Sequence, residues 1–336
     1  MAVVTESLGR PTVQGRLVQL THNPWARFAV RRLTRFAVSL WVLVSAAWAM
    51  VHAIPGTPVR TALGLTAPQS LVVRERAALG LDKPLLTQYG HFVTSVLTGH
   101  LGTSLTYRLP VSQVIGARLP ATAEIAGLAF VVVLLVSIPL GMTAGVLTRD
   151  GRKPRRELAF SASTGVLASI PTFMLALGLV AAFGVGLHLL PVAGRAGPLS
   201  YVLPVVSLAA GPSMLLARVV RVETVRVLRE DYMRTARAKR LPARLVYARH
   251  ALPNLLTSTL TISGLVLSGL VAGTVLVETV FAWPGMGTAL VQSIVAKDYP
   301  LVQGFALVYG SAVLFVNLLV DVLIALVDPR SALKDT

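Results

Sequence analysis

Long apolar stretches separated by polar connections dominate the pattern of this chain. A helix needs about 20 mostly apolar residues to cross the hydrocarbon of a bilayer, where it satisfies all of its own backbone hydrogen bonds. Six stretches meet this requirement: Leu33–Ile54, Thr122–Leu147, Phe160–Leu187, Leu199–Val220, Leu256–Phe281 and Val302–Val327. The pattern therefore predicts an all-α integral membrane protein with six transmembrane helices.

The first stretch has a second interpretation. It follows a cluster of arginines and ends near the small residues Ala47 and Ala49, a pattern that is also typical of a cleavable signal peptide. The apolar run is long, however, and five more spans follow it. The sequence therefore favours an uncleaved first span at 33–54, preceded by a cytoplasmic tail at 1–32.

Basic residues are distributed unevenly among the connections. Of 31 Lys and Arg residues, 23 fall in residues 1–35, 148–158 and 216–254 and after Asp328, whereas 8 fall in the other connections. Because cytoplasmic loops carry an excess of Lys and Arg, both termini are predicted to be cytoplasmic. The formal net charge of +17 is then a signal of topology, and we expect no nucleic-acid partner.

Composition limits the chemistry that this chain can perform. With 54% hydrophobic and 13% charged residues it is too apolar for a soluble domain. It has no cysteine, its six histidines lack metal-ligand spacing, and it has no GxxxxGK[ST] phosphate loop. We therefore expect no metal, cofactor or catalytic site in the chain itself.

Residues 55–120 are too many for a simple turn between the first two spans. Apolar patches at Leu71–Leu81 and Phe92–Leu101 are separated by Gly and Pro residues. This pattern predicts short helices that form an extracytoplasmic cap. A flexible loop is the alternative.

Residues 224–254 form the other long connection, on the cytoplasmic side. Apolar residues recur there at helical spacing and predict one continuous stripe: Val225, Leu228, Tyr232 and Ala236. A second, short helix is predicted from Pro242 to near Pro253, with Leu245, Val246 and His250 on it. This helix, elbow and helix would either lie on anionic headgroups or dock into a cleft of a cytoplasmic partner.

Particular residues favour docking. The stretch Asp231–Lys239, followed by Arg249–Asn254, resembles the coupling-loop signature of ABC importer permeases of the dipeptide and oligopeptide branch, first-permease type. Further blocks match in the family's order: Leu79–Asp82, Gly99–Ser104, Glu278–Gly287, Asp298–Pro300, Asn317–Asp321 and Asp328–Arg330. The resemblance therefore covers the chain from about residue 79 to 330.

The resemblance implies an ABC importer transmembrane domain at 121–330, with a coupling loop between helices 4 and 5, and a C-terminal tail at 331–336. It implies a bacterial inner-membrane subunit that forms half of a pore for di- or oligopeptides. The implied partners are membrane lipid, a second related permease, two cytoplasmic ATPases that bind ATP and Mg, and an extracytoplasmic substrate-binding protein. Dipeptides, longer peptides, glutathione and chelated nickel all remain open as substrates.

The resemblance also assigns residues to coupling with the ATPase: Asp231, Tyr232, Arg234, Thr235, Ala236, Ala238, Lys239, Arg240, Leu241 and His250. Such permeases usually have glycine where this chain has Arg240, and often an acidic residue where it has His100. Because arginine adopts a left-handed backbone only at a cost, we expect a more helical or less tightly docked elbow. Replacing Ala236 with Glu or Asp231 with Lys should uncouple ATP hydrolysis from uptake.

Polar residues within spans are candidates for the pore or its vestibule: Ser213, Glu278, Asn317 and Asp321. A carboxylate within a span is functional by default, but for Asp321 we favour a structural anchor paired with a basic residue. Glu278 precedes a Pro-Gly turn, and either lines the outer vestibule or caps a short external helix.

Two rival functions remain at this point. An ion-gradient-driven secondary transporter or channel would show repeat halves and ion ligands near the membrane centre, and the sequence offers no convincing repeat. A membrane anchor without transport would lack a neighbouring binding protein and ATPases.

Overall fold

In the computed structural model, residues 24–53, 68–78, 82–149 and 154–327 are described. Residues 1–23 of the predicted N-terminal tail lie outside them, whereas the rest of that tail, 24–32, is helical. The predicted tail at 331–336, part of the cap with residues 79–81, and the Asp328–Arg330 block also lie outside them. The helices described are α1 (Pro24–Ala53), α2 (Gln69–Ala78), α3 (Leu85–Leu97), α4 (Val111–Thr148), α5 (Pro154–Ser169), α6 (Thr172–Leu179), α7 (Val202–Arg229), α8 (Asp231–Ala238), α9 (Leu252–Val280), α10 (Met286–Val295) and α11 (Tyr299–Val327).

The long helices confirm the all-α membrane fold. Among the described residues, five helical stretches are long and apolar enough to cross a bilayer, and α5 with α6 makes a sixth if the two count as one span. Several helices are longer than the sequence predicts. α4 begins at Val111 instead of Thr122, and α7 continues to Arg229 instead of ending at Val220.

The third predicted span is not one straight helix. α5 and its continuation Thr172–Gly186 meet at an angle of 88°. Pro171 stands at the break with an extended backbone, φ −58° and ψ 136°. Proline has no N–H to donate and disfavours helix in the residue before it, so it accounts for the bend.

Two glycines allow α4 and α7 to pack unusually closely. A Cβ atom on Gly141 would lie 2.5 Å from the Ala217 carbonyl oxygen, and one on Gly145 would lie 2.6 Å from Thr224 Cβ. Around this contact, side chains of both helices join the largest buried cluster, among them Ile125, Ala129, Val133, Leu216 and Val220. Small residues at a helix interface bring the backbones together where lipid supplies no hydrophobic driving force.

α9 and α11 run antiparallel beside this pair. Gly264 of α9 lies directly against Val320 of α11, and the Ser268 hydroxyl donates to Asn317 Oδ1 over 2.9 Å. α1 packs along α11, where Leu43 lies against Gly310. All the long helices therefore run between the same two ends of the bundle.

We call one end of this bundle the basic end: it holds the C-terminus of α4, the N-terminus of α5, the α7–α8 junction and the N-terminus of α9. The opposite end holds α3, α10 and the N-termini of α4 and α11. Two of the short helices predicted for the cap are present as α2 and α3. α3 packs on α1 and α11 through Phe92, Val93 and Val96.

A buried carboxylate organises α10 at the opposite end. Glu278 is 0% exposed, and its Oε2 accepts hydrogen bonds from the backbone N–H groups of Gly287 (2.6 Å) and Thr288 (3.3 Å) in the first turn of α10. A side chain on Gly285 or Gly287 would collide with this carboxylate. Of the two interpretations of Glu278, the structure therefore supports the cap of a short helix.

A second buried carboxylate ties the loop between α3 and α4 to α11. Asp298 is 0% exposed, and its Oδ2 accepts from the Ser104 hydroxyl (2.5 Å) and the Thr106 N–H (2.9 Å). Its Oδ1 accepts from the Leu301 N–H (3.3 Å), so it also caps the N-terminus of α11. The two carboxylates thus fix the elements that close the opposite end.

The glycine contact between α4 and α7 can be tested with matched substitutions. Gly141→Ala should destabilise the protein by about 1–3 kcal/mol, because the added methyl group overpacks the contact. Gly127→Ala, on the same helix but with nothing within 4 Å of its Cβ position, should be neutral or stabilising. Thermal unfolding of the purified complex measures both, and equal stability of the two variants would contradict this packing.

Substitutions of Glu278 test its role as the N-terminal cap of α10. Glu278→Ala removes the acceptor of the buried Gly287 N–H and the part-buried Thr288 N–H, and should destabilise the protein by about 1–3 kcal/mol. Glu278→Gln keeps a carbonyl acceptor and should be affected less. Folded yield and melting temperature in detergent compare the two, and wild-type stability of the alanine variant would exclude a capping role.

Candidate functional site

The basic end carries the segment that the sequence analysis singled out. α7 ends at Arg229, Glu230 is extended with φ −63° and ψ 150°, and α8 begins at Asp231. The break changes which residues face inwards: Met233 is 0% exposed, whereas Tyr232 is 42% exposed. The predicted single apolar stripe is therefore wrong at Tyr232, because the helical phase restarts at Glu230 and Met233 takes the inward position. Its last member, Ala236, is buried as predicted.

A small hydrophobic cluster holds this segment together. Its buried members are Val227, Leu228, Met233, Val246 and Ala251, and we call it the coupling core. The Arg237 guanidinium donates to the Leu228 carbonyl oxygen, one of the last four carbonyls of α7 that lack a partner within their own helix. The coupling core thus folds α8 back onto α7 and onto the segment that leads into α9.

The elbow, residues 239–242 between α8 and the turn that leads into α9, has a backbone conformation that suits glycine. Arg240 has φ 52°, in the left-handed region, and its N–H donates to the Arg237 carbonyl oxygen over 2.9 Å. The expectation of a more helical elbow is wrong, since the left-handed residue ends α8. Arginine pays a conformational penalty that glycine would avoid.

The second predicted helix does not end near Pro253. A turn at Ala243–Leu245 continues through the π-helical residues Val246–Ala251 directly into α9. Pro253 lies in the first turn of α9, where its missing N–H is tolerated next to the wider turns. The elbow therefore leads without a break into α9, whereas on its other side the extended residue Glu230 separates α8 from α7.

Polar contacts fasten the basic end to α4 and α5. Arg221 of α7 forms an ion pair with Glu157 over 2.6 Å and donates through Nε to the Thr148 hydroxyl over 3.1 Å. Arg149 donates to the Tyr247 hydroxyl over 3.4 Å. A displacement of α7 at this end would consequently also displace α4 and α5.

The predicted coupling residues divide into two groups by exposure. The exposed group comprises Asp231, Tyr232, Arg234, Thr235, Ala238, Lys239 and Arg240. Ala236 is 5% exposed and packs inward, while Leu241 and His250 are half-buried. Beside α8 lies a shallow depression of about 460 Å³ lined by Val222, Val225, Arg226, Arg229, Glu230 and Asp231. The exposed group is thus available to a partner, whereas Ala236 maintains the shape of the segment.

The structure gives three of the pore candidates, Asp321, Asn317 and Ser213, a different contact each. Asp321 pairs with Arg32 of α1 over 2.7 Å, in agreement with the favoured structural anchor. Asn317 accepts from Ser268. Ser213 is 2% exposed and donates to the carbonyl oxygen of Ala209 in its own helix. A pore role for these residues stays a prediction.

A polar cluster that the sequence analysis missed lies at the opposite end. Glu124 of α4 pairs with Arg195 over 2.7 Å and accepts from the Tyr201 hydroxyl over 2.7 Å, while Arg195 Nε donates to that hydroxyl over 2.9 Å. We call it the Glu124–Arg195–Tyr201 triad. The bond to Tyr201, followed by the Glu124 charge, raises the pKa of Arg195. A lone arginine in its connection was the only signal in the sequence.

Comparisons with known proteins bear on the whole chain. Residues 137–332 match the family model described as binding-protein-dependent transport system inner membrane component, and residues 25–126 match the model for its N-terminal part. A glutathione transport system permease protein GsiC from Pectobacterium atrosepticum is 36% identical over 91% of this chain and 99% of its own length. GsiC from Escherichia coli O6:H1 is 34% identical over the same shares of the two chains.

One solved structure, an amino acid ABC transporter with histidines, has a TM-score of 0.46 and 15% identity over 63% of this chain and 93% of its own. We draw no conclusion from a likeness at that level. The two family matches and the relatives covered over nearly their full length are sufficient to assign this chain to a family. This chain belongs to the family of inner-membrane permease components of binding-protein-dependent ABC transport systems.

Proposed function

We propose that this permease forms half of the translocation pathway for peptides or peptide-like solutes, and that separate ATPase subunits move it through its coupling segment. The observation that carries the proposal is the exposed surface of α8 and the elbow, which is joined to α7 by the coupling core and continues into α9. The substrate class rests on relatives that are named glutathione transport system permease proteins.

The partners follow from the family. A binding-protein-dependent importer needs an extracytoplasmic binding protein and ATPase subunits, and we propose two ATPases and a second related permease beside this chain. ATP and Mg would be bound by the ATPases, in keeping with a sequence that has no phosphate loop. The charge distribution supports a cytoplasmic location for the basic end.

The proposed motion passes through contacts already described. Closure of the ATPases would displace α8, and the coupling core would transmit that displacement to α7. Arg221 and the glycine contact would carry it to α4, while the elbow would carry it directly to α9. ATP would thus shift the population between outward- and inward-open arrangements without any chemistry in this chain.

Charge reversal at the exposed start of α8 tests docking. Asp231→Lys should strongly reduce ATP-driven peptide uptake while membrane insertion persists, because the side chain is 93% exposed on the proposed docking surface. Glu223→Lys controls for the loss of an ion pair, since each acid pairs with an arginine three residues later. The Glu223 side chain is only 19% exposed, so folded yield is compared as well. Uptake by reconstituted complexes measures both, and normal uptake by Asp231→Lys would count against docking here.

The elbow allows a second test. Arg240→Gly should preserve or improve uptake, since glycine adopts the left-handed backbone at φ 52° without penalty. Arg240→Ala removes the same side chain but keeps a Cβ atom, so it separates backbone strain from loss of charge. A clear loss of uptake in the glycine variant would show that the arginine itself contacts a partner.

A further inference from the structure

The Glu124–Arg195–Tyr201 triad is not used by the mechanism above, and it is held rigidly. The N–H of Gly194 (φ 79°) donates to the Phe281 carbonyl oxygen over 2.8 Å, which fixes the loop just before Arg195. The Tyr201 ring packs edge-on against Trp283, with ring centroids 4.8 Å apart. Trp283 in turn donates through Nε1 to the Ala121 carbonyl oxygen over 3.0 Å.

The triad keeps unused hydrogen-bonding capacity while its members stay bonded to each other. A guanidinium has five N–H donors and a carboxylate about four acceptor positions. Arg195 uses Nε for Tyr201 and Nη2 for Glu124, so Nη1 has no partner among the described residues. Each oxygen of Glu124 accepts one bond within the triad and can accept another.

Both charged groups are open to a ligand. The side chains of Arg195 and Glu124 are 41% and 36% exposed. A shallow depression of about 490 Å³ is lined by Leu128, Arg195, Gly197, Pro198 and Tyr201. Glu124 is hydrogen-bonded to two of these residues, Arg195 and Tyr201. An adjacent cation and anion beside an apolar wall complement a ligand with an adjacent anion and cation.

The spacing of the two charges selects the kind of ligand. Arg195 and Glu124 are in direct contact at 2.7 Å, so a ligand that engages both must carry its own charges close together. In an α-amino-acid headgroup the ammonium and carboxylate share one carbon, and bonds of about 1.5 Å keep them within about 3 Å. The two ends of an ordinary extended dipeptide lie roughly 7 Å apart.

We propose that the Glu124–Arg195–Tyr201 triad binds the α-amino-acid headgroup of a translocated ligand, with the ligand's carboxylate on Arg195 and its ammonium on Glu124. The inference rests on the proposed import function and narrows its substrate class. It favours γ-linked peptides, whose first residue retains both groups on one carbon, over α-linked peptides of the same composition. By the charge bias, the site faces the extracytoplasmic side.

The absence of cysteine in this chain allows a direct test. Leu128→Cys, at a wall position 45% exposed, introduces a single thiol whose modification by a methanethiosulfonate reagent is followed on this chain in the reconstituted complex without binding protein. The probes are γ-glutamylglycine and its isomer α-glutamylglycine, which have the same composition and charge. The γ isomer should half-protect the thiol at a concentration at least about tenfold lower.

Substitutions added to Leu128→Cys identify the groups responsible. Arg195→Gln and Glu124→Gln should each raise the half-protecting concentration of the γ isomer at least about tenfold, as expected when a charged hydrogen bond is lost. Arg118→Gln, at a half-buried arginine of α4 outside the triad, is the matched control and should leave it unchanged. Basal ATPase activity of each variant monitors folding.

Three results would overturn the proposal: equal protection by the two isomers, no protection by either, or full protection that persists in Arg195→Gln. ATP-driven uptake with the binding protein present is measured on the same preparation. Uptake without isomer-selective protection would contradict the proposed triad site but would be consistent with the proposed import function. Active ATPases with no uptake of either isomer or of other peptides would instead contradict the import function.

Discussion

The close approach of α4 and α7 is the contact on which the rest of the bundle depends. At Gly141 and Gly145 the two backbones come so near that even a methyl group would meet Ala217 or Thr224. Lipid gives helices no hydrophobic reason to associate, so close van der Waals packing has to supply that energy. The same contact attaches α7 firmly to the largest buried cluster. The C-terminal end of α7 carries the coupling core.

Buried polar groups serve the fold at one end of the bundle, and exposed polar groups serve the proposed function at the other. Glu278 and Asp298 are fully buried and satisfy backbone N–H groups of α10, α11 and the loop before α4. Asp298 accepts three hydrogen bonds through its two oxygens, which offsets the cost of its burial. Glu278 accepts two hydrogen bonds at Oε2, and its Oε1 has no partner among the described residues. At the basic end, by contrast, charged residues of α8 remain exposed and are available to a partner. The Glu124–Arg195–Tyr201 triad is intermediate, since it is internally paired and still half-open.

Hydrophobic runs predicted the all-α membrane class, because a bilayer requires long apolar helices. They also predicted the number of spans if α5 and α6 count as one span. Helix ends were predicted poorly. Residues Val111–Pro120 belong to α4, because a helix can extend beyond the bilayer and because Val111, Val114 and Ile115 pack in a buried cluster. The bend at Pro171 and the restart of helical phase at Glu230 depend on single backbone conformations that periodicity does not reveal.

The structure folds the predicted coupling segment at the basic end between α7 and α9, with Met233 and not Tyr232 in the coupling core. Its role in coupling stays a prediction. Long-range pairs were harder to predict. Glu124 and Arg195 are 71 residues apart in the chain, and Ser104 and Asp298 are 194 apart. No spacing rule links such positions, because only the packed bundle brings them together. For Asp321 the expected basic partner exists, and it is Arg32 of α1.

The central claim is that α8, α7 and α4 move as one body when the ATPases close. Since the chain has no cysteine, spin labels can be attached at Thr235→Cys on α8 and Leu135→Cys on α4, both exposed. Double electron–electron resonance then compares their separation in nucleotide-free and ATP-bound complexes. The account predicts the same distance distribution in both states. A shift approaching the about 5.4 Å of one helical turn would contradict it, because α8 would then move independently of the helices it is proposed to drive.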